Sequence, residues 1–176
     1  NPFELIITST VELSIDLNTG FNWISFNVEV EDASIDNVLS SISNEAIFIA
    51  SQTSGTATNY GEYGWFGSLT DLDNTQMYLL EMEAPATLTI VGLPVDVNST
   101  PIELNVGFNW ISYLPQNPGD LGTALASVSE QAIFIASQTS GTSTNYGDYG
   151  WFGSLDLLSP GSGYLLEMTA PGTLIY

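Results

Sequence analysis

The chain has 176 residues, 44% of them hydrophobic, and its 20 Asp and Glu residues are met by no Lys, Arg or His, for a formal charge of -20. This balance disfavours nucleic acid and anionic membranes, because phosphate binding draws on Lys and Arg. The lack of Cys removes disulfides, thiolate metal sites and thiol nucleophiles.

In chain order, residues 1–14 come first. Phe3, Leu5, Ile7, Val11 and Leu13 form an apolar face at odd positions, interrupted by Ser9; this period-two pattern reads as a strand. "VELSIDL" continues the alternation, and "FNWISFNVEV" is rich in aromatic and β-branched residues, which favour strands. "SIDNVLSSI" predicts a short helix, with Ser34 as N-cap and Ile35, Val38, Leu39 and Ile42 on one face. "AIFIASQT", "YGWFGSL" and "MYLLEMEA" read as further strands between Gly, Asn, Ser and Pro punctuation.

The chain then repeats itself. "GFNWIS" at 20–25 returns at 107–112, and "YLLEM" at 78–82 returns at 164–168. The stretch "IFIASQTSGTATNYGEYGWFGSL" at 47–69 returns at 133–155 with only Ala57/Ser143 and Glu62/Asp148 exchanged. A second short helix is expected around Leu121, Leu125 and Val128. The expected fold is mainly β: two tandem homologous sandwich- or barrel-like domains, each with one short helix. Residues 1–14 form an N-terminal extension, 15–90 repeat domain 1, 91–101 an inter-repeat linker strand and 102–176 repeat domain 2.

Catalytic chemistry is poorly supplied. Without His, Lys or Cys the usual bases and activated nucleophiles are missing, and Ser-His-Asp and P-loop chemistry are excluded. Glycoside hydrolysis needs a carboxylate pair about 5–9.5 Å apart. The duplicated acids Glu62 and Asp148 occupy equivalent places in different repeats and read as loop residues beside turn glycines. The protein is read as a non-enzyme with no catalytic residue. The acidic stretches "EVED" at 29–32 and "DLDN" at 71–74 permit Ca2+. They lack EF-hand spacing and are not duplicated, so no metal ligand is assigned. Trp23, Trp65, Trp110 and Trp151 read as core. Tyr60, Tyr63, Tyr146 and Tyr149 are candidates for glycan contact, and Asn98 opens an N-S-T sequon that the following Pro101 disfavours.

The pattern of "GFNWIS", "GWFGSL" and "YLLEM" resembles a tandem β-repeat of large secreted and surface proteins of environmental bacteria. It is also similar to protomers of extracellular filaments found in natural waters. The resemblance covers nearly all of the chain after the first dozen residues. It implies an extracellular or cell-surface location and a structural role, and it names no active site.

Spacing points the same way. Trp23 and Trp110 lie 87 residues apart, and in copies joined end to end the next such Trp would follow 89 residues later. Repeat 2 runs level with residues 87–90 and has no counterpart of 91–101. The expectation is a homopolymer built head to tail by strand complementation. Phe3, Leu5, Ile7, Val11 and Leu13 would be the donor, and Thr173, Leu174, Ile175 and Tyr176 the acceptor. Residues 91–101 would make the same contacts within the chain. The rivals are a segment of a longer repeat array and a carbohydrate-binding or adhesion module using the Tyr loops. Neither nucleic-acid binding nor membrane insertion is expected.

Overall fold

A computed structural model describes residues 9–176; residues 1–8, including the donor candidates Phe3, Leu5 and Ile7, lie outside the described residues. The protein is mainly β. Repeat 1 contains β1 (Val11–Leu17), β2 (Gly20–Ile24), β3 (Val28–Glu29), α1 (Ile35–Val38), β4 (Ala46–Ser51), β5 (Thr56–Asn59), β6 (Trp65–Gly67), β7 (Tyr78–Met82) and β8 (Ala86–Pro94). Repeat 2 contains β9 (Ile102–Leu104), β10 (Gly107–Ile111), β11 (Gly119–Asp120), α2 (Leu121–Ala124), β12 (Ala132–Ser137), β13 (Thr142–Asn145), β14 (Trp151–Gly153), β15 (Leu157–Leu158), β16 (Tyr164–Met168) and β17 (Gly172–Leu174).

Each repeat is organised around its "YLLEM" strand. In β7, Tyr78, Leu80 and Met82 point inward, while Leu79 and Glu81 are half-exposed. That strand sits inside a five-stranded antiparallel sheet ordered β2-β7-β4-β5-β6, and repeat 2 matches it with β10-β16-β12-β13-β14. A smaller sheet, β1-β8-β3, lies against the first. Leu13, Leu17, Leu88 and Ile90 from the small sheet meet Ile24, Ile49, Leu80 and Met82 from the large one in a single core. The helical residues close it. Ile35, Val38, Leu39 and Ile42 are all buried, although α1 spans only four residues and gives way to a 3-10 turn at Ser40–Ile42. The Ser34 side chain makes no capping hydrogen bond. In repeat 2 the Asp120 carboxylate does cap α2, accepting from the Thr123 N–H.

Two expected boundaries move. β1 pairs antiparallel with β8 over its whole length, Val11 opposite Gly92 and Leu13 opposite Ile90, and Leu13 is buried in the first core. Val11 and Leu13 are therefore used inside their own repeat and do not belong to a free donor segment. The reason is continuity: their apolar face runs on into Ile15 and Leu17, and β8 is long enough to pair with all of it. Residues 91–94 likewise remain in the first repeat's sheet, where Leu93 and Pro94 pair with β3. The linker proper starts at Val95, which is buried in the second core with Val97 packed against it.

The repeats join through the outer edges of β2 and β10, and the join is reciprocal. Ile24 bridges to Ser162, and Ile111 bridges to Gln76. These are equivalent pairs, so a local two-fold relates the halves within one chain.

Candidate functional site

Sheet edges and exposed rings are the chemistry this surface offers. An edge strand presents unpaired N–H and C=O groups and must be covered or used. The β2 edge is covered by repeat 2. The Gln138 amide spans it, with Trp23 N–H donating to Oε1 at 2.7 Å and Nε2 donating to the Phe21 carbonyl at 2.5 Å. Gly163 N–H donates to the Trp23 carbonyl, and Ser25 N–H donates to that of Gly161. Gln52 repeats the arrangement on β10, accepting from Trp110 N–H at 2.8 Å and donating to the Phe108 carbonyl at 2.7 Å. Met77 N–H donates to the Trp110 carbonyl. Gly163 is needed here for contact, since a Cβ would lie 2.1 Å from Met77 Cγ. Sequence reasoning missed the two glutamines. Their signal was present, as one identical Gln in each copy of "SQTSGT", but nothing local reveals partners more than 50 positions away.

Hollows of about 300 and 330 Å3 flank this join at equivalent positions, one beside Trp110 and the other beside Trp23. The asparagines in their walls are already engaged. Asn22 accepts from Asn18 N–H and donates to two backbone carbonyls, and Asn109 does the same with Asn105 and Gly107.

The small sheets of the repeats differ. In repeat 1, β8 is flanked by β1 and β3. In repeat 2, β9 pairs with β17 over three residues, Ile102 to Leu104. Residues 98–101 and 115–116, the counterparts of 11–14 and 28–29, are not strands: Ser99 N–H donates to the Asp96 carbonyl in a turn, and the Pro115 carbonyl accepts from Asn27 Nδ2. The expected acceptor residues are partly engaged already. Thr173 and Leu174 are already paired with Glu103 and Ile102. The backbone of Ile175 is closed by Ser127, whose hydroxyl accepts from its N–H and donates to its carbonyl. Tyr176 packs its ring on Tyr113, centroids 5.2 Å apart and nearly perpendicular, and its hydroxyl donates to the Ser112 carbonyl. Burial pushes the Tyr176 phenol well above its ordinary pKa, and those of Tyr113 and Tyr164 upward as well.

The tyrosine loops emerge as two equivalent tips. Each is a 3-10 turn, Gly61–Tyr63 or Gly147–Tyr149, leading into the outer strand of a large sheet. Left-handed glycines set the shape, with φ of 64° at Gly61 and 78° at Gly64. Tyr63 is 81% exposed and Tyr149 83%, and Tyr60, Tyr146, Phe66 and Phe152 are exposed too. The four tryptophans expected in the core are only half-buried. Trp65 and Trp151 pack on their cores from the outer strands, while Trp23 and Trp110 lie at the join. Being at strand edges leaves one side of each indole outside.

Asn98 lies exposed in the linker, its N–H donating to Asp96 Oδ1. Among the described residues no group of three or more metal-ligating side chains comes together. Of the acids in "EVED", Asp32 is held below the usual carboxylate range by the Ser34 N–H. Glu62 and Asp148, the duplicated acids, sit on separate tips. No family profile matches the chain, and neither a curated protein nor a solved structure matches it.

Proposed function

We propose that the protein is the structural protomer of an extracellular filament, assembling head to tail by strand complementation. What supports this is the small sheet of repeat 2, which has two strands where that of repeat 1 has three, and which we read as a slot for one more. Repeat 1 shows the filled arrangement, with residues 91–94 of β8 pairing with β1 and β3. In repeat 2 the counterparts of these partners, residues 98–101 and 115–116, form no strand pairing among the described residues. The occupant we assign is the N-terminal segment of a second copy, narrowed from 1–14 to 1–10 because β1 begins at Val11. Its alternating Phe3, Leu5 and Ile7 suit a strand with one face toward a core. The contact is heterologous, joining different surfaces of successive copies, and so it propagates. Closing the β2 and β10 edges within the chain removes two competing routes of growth.

The test removes residues 1–10 and supplies them as a peptide. Hydrogen exchange on the truncated chain should show the peptide slowing the amides of Asn98, Ser99, Thr100 and Gln116. A peptide that leaves those amides unprotected contradicts the assignment. Intact mass distinguishes this occupant from a following repeat of a longer chain, which would fill the slot in cis.

A further inference from the structure

The two aromatic tips take no part in the join or in the slot, yet they carry the most exposed large rings of the described residues. Their geometry is built twice. Tyr60 meets Phe66 edge to face at 5.9 Å and 74°, and Tyr146 meets Phe152 at 5.9 Å and 73°. A carboxylate stands inside each turn, Glu62 in one and Asp148 in the other. Further acids border the tips. A hollow of about 470 Å3 beside the first is lined by Glu62 and Glu83, and one of about 360 Å3 beside the second by Asp120, Asp156 and the Trp151 ring.

Exposed rings of this kind mark docking surfaces, and charge selects the partner. The chain has no cation of its own to neutralise these carboxylates. An anionic partner is repelled, and a second copy set tip to tip would bring Glu62 and Asp148 carboxylates together. A neutral sugar could donate its hydroxyls to these carboxylates but gains nothing from their charge. The amide at the base of each tip is fully used. Asn59 donates to the Ser43 and Ala46 carbonyls and accepts from Gly61 N–H, and Asn145 does the same with Ser129, Ala132 and Gly147. Ring faces and carboxylates remain, and both attract positive charge.

We infer that the tips at 60–66 and 146–152 are paired docking sites for cationic side chains, with an arginine-bearing segment of a partner protein as the occupant. Guanidinium is the better fit than ammonium, because it stacks flat on a ring while its N–H groups reach carboxylates. Two equivalent sites per chain, repeated along an assembly, would bind a multivalent partner far more tightly than either alone.

The experiment titrates the full chain with the peptide Gly-Arg-Gly-Arg-Gly and follows ring and backbone NMR shifts, with cellobiose as the neutral comparison. Saturable shifts should concentrate at both tips and weaken with added salt. Replacing Tyr63 and Tyr149 by Leu should lower tip affinity by about two- to fivefold, while Phe at both positions should keep it. Shifts spread evenly over the acidic surface, indifference to the Leu substitutions, or equal binding of cellobiose would each overturn the inference.

Discussion

At Gly67 the absence of one carbon sets how closely two strands approach. A Cβ there would lie 2.0 Å from the Thr56 carbonyl oxygen, and at Gly153 the same distance from that of Thr142. Gly67→Ala should therefore cost about 1–3 kcal/mol, as forced overpacking does, read as a lower unfolding midpoint in denaturant. Gly61→Ala is strained for a different reason, its positive φ, since nothing lies within 4 Å of its missing Cβ. The sequence marks both as turn glycines and cannot tell the two causes apart, because close approach involves a residue 11 positions away. Tyrosines govern the pH response. Burial pushes the Tyr78 phenol from 10.0 to about 12, so folding favours its neutral form. That contribution is complete below about pH 10 and is lost as pH rises toward 12. Stability should fall through this alkaline window, and Tyr78→Phe should make the fall shallower in unfolding midpoints measured against pH.

Between elements, the join rests on two glutamines that each close a strand edge. Changing Gln52 and Gln138 to Leu leaves Trp110 and Trp23 N–H and the Phe108 and Phe21 carbonyls without these partners. Each change should cost about 0.5–1.5 kcal/mol, because these hydrogen bonds are exposed and water can replace the lost partner. Hydrogen exchange should localise the loss to β2 and β10, with the centres of β7 and β16 still protected. Loss of protection throughout both large sheets would mean that the repeats do not hold their own cores. Most strands were legible beforehand, because alternation and duplication mark them locally: the odd apolar residues of "VELSIDL" and the inward Tyr, Leu and Met of "YLLEM" point as their pattern predicts. The ends of β1 and β8 were not legible. Where one strand stops is decided by the length of its partner, as Val11 opposite Gly92 shows. Nor was the brevity of α1 visible, since the four buried positions of its face are equally met by one α-turn followed by a 3-10 turn.

Over the whole molecule, a charge of -20 opposes casual association, so any assembly must use contacts that outweigh it. Edges are managed accordingly. Those of β2 and β10 are closed within the chain, and the tips present rings beside carboxylates. The donor candidates Phe3, Leu5 and Ile7 lie outside the described residues. Of the acceptor candidates, Thr173 and Leu174 pair with β9, and Ser127 closes the backbone of Ile175. Electron microscopy of the full chain beside the chain lacking residues 1–10 tests the central claim most directly. The account predicts filaments from the first and dispersed two-repeat particles from the second; filaments from both, or from neither, would contradict it.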